Sequence, residues 1–293
     1  MQTRYTFPQR IHHLITGVQA DVLNAGQSTG YTGNLLRDMK NVANKLKAVA
    51  FTDSKVDYQQ LKTGEIYQDY RAISDGLQSF DLNSLETIEE RLAFWINLYN
   101  LLMIDAVIHY EVQHSITEVK GVFDSAGYNI GGYFFSLNDI EHGILRANAG
   151  HPTIPGGQFP QDDPRAKYMM PELDPRIHFA LVCAAESCPP INFYDAERID
   201  SQLTLATGNF VNSSEVKIDI EQKQATISKI FQWYAPDFGA SFMVTLGAGD
   251  ASPVLRWIAP YRVDPDEKSL LSDHANDYAI GFSTYNWSLN SLK

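Results

Sequence analysis

Apolar residues recur at three- and four-residue spacings through HLITGVQADVLNAG (13–26) and LLRDMKNVANKLKAVAF (35–51), which predicts two amphipathic helices. Thr52, Asp53 and Ser54 break the pattern, and VDYQQLKTGEIYQDYRAISDGLQSF (56–80) resumes it. Residues 1–80 therefore read as a helical N-terminal extension. The segment SLETIEERLAFWINLYNLLMIDAVIHY (84–110) is apolar at almost every position from Leu92 onward. A helix apolar on all sides is buried on all sides, so this segment is expected to be the central helix, capped by Asn83 and Glu86.

Glycine-rich turns at Ser125–Gly127 and Gly131–Gly132 separate short apolar runs between Val122 and Phe135, predicting small strands. Ser136 with Asp139 opens a further helix, SLNDIEHGILRANAG. The proline-rich stretch 151–175 reads as a long surface loop. In DPRIHFALVCAAESCPP (174–190), alternation predicts a strand with Ile177, Phe179, Leu181 and Cys183 on one face and His178, Ala180 and Val182 on the other. A helix follows over 194–211. EVKIDIEQKQATISKIF (215–231) predicts a hairpin, and SPVLRWIAPYR (252–262) a helix with Pro253 in its first turn. YAIGFSTYNWSLN (278–290) closes as a strand. No linker composition intervenes. The expected architecture is α+β: a buried central helix on a mainly antiparallel sheet, residues 81–293 forming the core domain of one structural unit.

With 293 residues, 44% of them hydrophobic, the chain can bury a core without metal or disulfide staples. The net charge of −12 disfavours nucleic acid and anionic lipid as partners. No run of 18 apolar residues predicts a membrane span, and MQTRYTFPQRIHHLITGVQA lacks a signal-peptide core. That pattern places the protein in the cytoplasm as the chain stands, or in the periplasm or outside the cell if a signal was removed. Motifs of dinucleotide-binding, P-loop and α/β-hydrolase folds are absent from the sequence, and neither a cofactor nor a metal site is expected. His12–His13 reads as exposed surface.

The two cysteines are either reduced thiols or one local pair. Cys183 shares the apolar face and reads as a core thiol. Cys188, in the loop before Pro189, reads as the accessible one, with Glu186 beside it unfavourable to a thiolate. Along a strand, His178 is roughly 20 Å from Ala184, too far to serve Cys188 as a base. His178 itself reads either as a buried structural histidine or as a group lining a cleft. Asn97 and Asn100 interrupt the central helix. They either pin a neighbouring loop or line a polar cleft, because a buried amide left unpaired costs about 1–3 kcal/mol. Glu141, His142 and Arg146 lie together on their helix, as a solvent-facing surface or as a general base with its orienting carboxylate.

FWINLYN (94–100), SLNDIEHGILR (136–146), DPRIHFALVCAAESCPP (174–190) and YNWSLN (285–290) stand in this order. Together they resemble the bacterial and plant family known as domain of unknown function 547, strongly over roughly residues 80–215. The resemblance places Asn97, Asn100, Glu141, His142, Arg146, Arg176, His178 and Cys188 inside family motifs and implies no established activity. The order of central helix and His-bearing strand is also similar to that of papain-like and transglutaminase-like enzymes. Those carry their cysteine at the helix start, where this chain has Phe94 and Trp95. Two readings stand. One is a thiol-dependent hydrolase or acyl transferase acting on an unidentified small molecule or peptide: Cys188 is the nucleophile, His142 the base and Glu141 its orienter, with Asn97, Asn100, Arg146, Arg176, His178 and Glu186 organising the site. The other is a non-catalytic binding or scaffold domain with a protein partner. A metal-dependent hydrolase using His142, His178 and Glu141 is the weakest alternative.

Overall fold

A computed structural model describes residues 6–26, 33–52 and 54–292. Asp53 of the predicted break, the first five residues and the side chains of His12 and His13 lie outside the described residues. The fold is α+β. Contacts divide the chain into two compact units. One comprises Met1–Glu172, Leu181–Ile199 and Trp287–Lys293, the other Leu173–Ala180 and Asp200–Asn286.

In the first unit the N-terminal helices are α1 (Phe7–Thr16), α2 (Leu35–Ala50), α3 (Tyr58–Thr63) and α4 (Glu65–Gly76). The helix expected over 13–26 stops at Thr16, because Gly17 takes a φ of +70°. Asp21–Val22 then forms strand β1. The break after α2 is a tight antiparallel pair, β2 (Phe51–Thr52) with β3 (Lys55–Val56). The central helix α5 (Ile88–His109) is buried at every residue from Leu92 to Ile108. Its cap is Thr87 with Glu90, not Asn83 with Glu86. Asn83 instead belongs to a 3₁₀ turn capped by Asp81. By length and apolarity α5 could cross a membrane, but 89% of its apolar window is packed inside the protein.

A buried carboxylate of α5 ties helix α4 to it. Asp105 accepts from the hydroxyls of Tyr67 and Tyr128 and pairs with the Arg71 guanidinium. A short helix α6 (Val122–Ser125) leads into strands β4 (Ala126–Ile130) and β5 (Tyr133–Ser136), an antiparallel hairpin with β1 added in parallel. The hairpin turn needs positive φ at two consecutive residues, which Gly131 (+56°) and Gly132 (+84°) supply.

In the second unit, α7 (Ile199–Val211) precedes the predicted hairpin, β6 (Val216–Asp219) with β7 (Gln224–Ile227), and β8 (Ala279–Phe282) pairs with β7 in parallel. Helices α8 (Lys229–Trp233), α9 (Phe242–Thr245), α10 (Ser252–Ile258) and α11 (Pro265–Asp273) complete it. Pro253 occupies the first turn of α10, as its fixed φ favours. Phe179, Phe210, Phe231 and Phe238 form the centre of an aromatic core with Trp257 packed against it.

Candidate functional site

The stretch 174–190 is not a strand. Asp174 caps a 3₁₀ turn, Pro175–Phe179, and beyond it the backbone bonds to distant partners rather than to a sheet ladder. The amide of Val182 donates to Asn100 Oδ1 (3.0 Å), and Asn100 Nδ2 donates to the carbonyl of Asn192. Asn97 makes the matching pair with Tyr194, accepting from its N–H (2.7 Å) and donating to its carbonyl (2.8 Å). The two amides of α5 thus pin a loop, 182–194.

That loop carries both cysteines, and their burial is the reverse of the expectation. Cys188 is buried at 8% exposure and Cys183 is half-buried. Strand alternation does not hold here, because Pro175–Phe179 is wound as a 3₁₀ turn and Ala184 takes a φ of +62°. A left-handed alanine costs about 1–2 kcal/mol and persists only where its surroundings fix it. The returning C-terminal segment does so: Asn290 N–H donates to the carbonyl of Ala184, Ala185 bridges Leu289, and Glu186 N–H donates to the carbonyl of Ser288. Folded in this way, the loop brings the sulfurs of Cys183 and Cys188 to 2.6 Å, without a disulfide between them. The Cys183 N–H also donates to Cys188 Sγ (3.1 Å). Lys55 pairs with Glu186 and offsets its charge. Tyr58 donates to Asn290 Oδ1 (2.8 Å). Burial first, then the neighbouring sulfurs of Cys188 and Cys183, push its phenol up beyond the ordinary range.

Glu141, His142 and Arg146 form a second cluster, and all three are buried. Ser136 and Asp139 exchange side-chain-to-backbone bonds and start the predicted helix, which is wound as a π-helix over Asp139–Leu145. Its five-residue bonds run from Arg146 N–H to the Glu141 carbonyl and from Asn148 N–H to the Gly143 carbonyl. A Cβ on Gly143 would meet the Phe159 ring at 2.4 Å, so the close approach of 151–175 depends on that glycine. Arg146 reaches His142 Nδ1 (3.2 Å) and the Gly150 carbonyl (2.5 Å). A guanidinium only donates, so Nδ1 accepts and the ring proton of neutral His142 sits on Nε2. Glu141 stands 3.8 Å from Nδ1, beyond hydrogen-bond length, and accepts from the Tyr99 hydroxyl at 3.1 Å.

Arg176 and His178 belong to the second unit. Arg176 embraces Asp174 and also reaches Asp200 and Thr204. His178 donates from Nε2 to Asp237 Oδ2 at 2.7 Å and stacks on Tyr234, their ring centroids 4.0 Å apart.

Sequence reasoning missed Arg165, which turned out to be central to the first unit. It donates to Asp139, Asp163 and the carbonyl of Phe134, and sits over the Phe159 ring. The signal was present: Asp163-Pro164-Arg165 repeats Asp174-Pro175-Arg176. In both, the aspartate accepts from the backbone and the side chain of the arginine around a 3₁₀ turn begun by proline. Asn97 also lines a cleft of about 480 Å³ with Phe94, Met39, Tyr194 and the Lys40–Asp195 pair. Among the described residues, no three His, Cys, Asp or Glu side chains converge as metal ligands.

Residues 82–211 match the model of a family described as "Protein of unknown function, DUF547". No curated protein and no solved structure matches the chain.

Proposed function

We propose, taking the DUF547 match over residues 82–211 as the premise, that this segment carries a thiol-dependent transfer site of the hydrolase or acyl-transferase class, with Cys188 as its nucleophile. The observation that carries the reading is the backbone N–H of Cys183, which donates to Cys188 Sγ at 3.1 Å. A donor fixed on a sulfur favours its charged, nucleophilic form. Attack on an acyl carbon would form a thioester and release the leaving group, and water or a second acceptor would then take the acyl group. Asn97 and Asn100 serve as positioning residues for the loop. The Arg146 contact favours His142 as a hydrogen-bond donor through Nε2, with Glu141 held by Tyr99. The substrate class is a small acyl compound or peptide.

The test is the alkylation rate of Cys188 against pH in native Cys183→Ala protein, which keeps the backbone donor. The expected half-maximal rate lies below the free-cysteine midpoint of about 8.5. A midpoint at or above that value, or no reaction before unfolding, removes the thiol mechanism. A specific observation favours the second reading, a non-catalytic binding domain: Asn97 and Asn100 are satisfied by the backbone of one loop, as structural pins are. On that reading Cys188 is inert and Cys188→Ser leaves partner binding intact.

A further inference from the structure

We infer that Cys183 and Cys188 are a reversible dithiol–disulfide pair whose oxidation closes the thiol site. The sulfurs stand 2.6 Å apart, against about 2.05 Å in a disulfide, so a small side-chain adjustment forms the bond. The backbone needs no rearrangement, because Ala184 at φ +62° already doubles the loop back and the C-terminal segment holds it there. The two thiols are also unequal, as an exchange pair requires. Cys183 is the more exposed and can meet a bulky oxidant, and Cys188 is buried behind it where it can resolve the adduct.

The oxidant is a low-molecular-weight disulfide, RSSR. Cys183 loses its proton to solvent and attacks one sulfur of RSSR as the thiolate. That forms Cys183–S–SR and expels RS⁻. The expelled RS⁻ takes up one proton as RSH, and Cys188, losing its own proton to solvent, attacks the Cys183 sulfur. The intramolecular disulfide forms, and the second RS⁻ leaves and takes up the remaining proton. The two thiols lose two electrons, and RSSR gains them as two RSH. A thiol in excess reverses each step.

Only the consequence for activity rests on the reading of Cys188 as a nucleophile; the couple itself does not. The experiment equilibrates the full chain in glutathione buffers of graded potential, then alkylates under denaturing conditions and measures mass. The expected result is loss of both alkylatable thiols in one step. It leaves no stable glutathione adduct on the wild type, and reduction restores both. Cys183→Ser should protect Cys188 from the bulky disulfide, and Cys188→Ser should trap a stable adduct on Cys183. Persistence of both thiols in the most oxidising buffer overturns the inference, and so does a stable adduct on the wild type. The alkylation profile separates the two claims. A low Cys188 midpoint without disulfide formation refutes the couple and spares the nucleophile. Disulfide formation with an ordinary midpoint does the reverse.

Discussion

Replacing Asn100 with alanine tests how the thiol loop is held. The side chain is 1% exposed and satisfies two backbone groups, the Val182 N–H at 3.0 Å and the Asn192 carbonyl at 3.3 Å. Val182 is fully buried, so its amide would be left without an acceptor, which costs about 1–3 kcal/mol. Asn192 is half-buried and can turn to water, so the longer bond adds only about 0.5–1 kcal/mol. The sum is a loss of about 1.5–4 kcal/mol, read by urea denaturation. Amide hydrogen exchange places the loss: Val182 should lose most of its protection, and Cys183 should alkylate faster as the loop loosens. Asn97→Ala is the control. It removes two bonds of similar length, but both are to Tyr194 and beside the cleft, so it should destabilise by about 1–3 kcal/mol and leave Val182 protected. The reasoning fails if Asn100→Ala costs under about 1 kcal/mol with Val182 still protected, or if both variants expose Val182 equally.

Two further outcomes follow from buried charge and buried phenols. Arg165→Met strands Asp139 and Asp163, both buried, and should cost about 3–5 kcal/mol; a loss within 1 kcal/mol in denaturant titration would show that the carboxylates find other partners. Burial, assisted by Asp105 at three of them, pushes the phenols of Tyr58, Tyr67, Tyr70, Tyr128 and Tyr194 above their ordinary range, and pushes Tyr110 up to about 12. Folded values raised above unfolded ones near 10 mean that this stability is fully present below pH about 10 and is lost as pH rises beyond it. Unfolding free energy should therefore fall above pH about 10, with tyrosinate absorbance from these residues appearing together with loss of structure. Their ionisation in a protein that stays folded would contradict it.

The central helix was legible because burial on all sides leaves a near-continuous apolar run, and no other element imitates that at such length. Its cap was misplaced by four residues because Asn83–Glu86 and Thr87–Glu90 share a capping pattern, and only Asp81 beside Asn83 distinguishes them. The stretch 174–190 misled for a different reason. Its alternation is real, but period-two patterning reports which residues are apolar, not where backbone groups bond. The acceptor for Val182 lies 82 residues earlier and the donor to Ala184 comes from Asn290, so neither can be seen from the stretch itself. Asn97 and Asn100 were recognisable as residues needing partners. Which loop would supply them was not. A local pairing of the two cysteines was open in the sequence, but a strand would have turned Cys183 into the core; the left-handed Ala184 doubles the loop back instead and sets the two sulfurs side by side.

The return of residues 288–292 also dictates when the thiol loop can be set. Asn290 accepts from Tyr58, 232 residues earlier, and donates to Ser54, while its backbone holds Ala184. During synthesis, Val56, Ala184 and Glu186 all emerge before these partners exist. Closing so long a span carries a large entropic barrier that helical contacts nearby in sequence avoid. The helices around α5 can therefore assemble on the growing chain, with the Cys183–Cys188 loop still open to cellular thiols. Residues 288–290 thus fasten the thiol loop only after every residue they hold has been made.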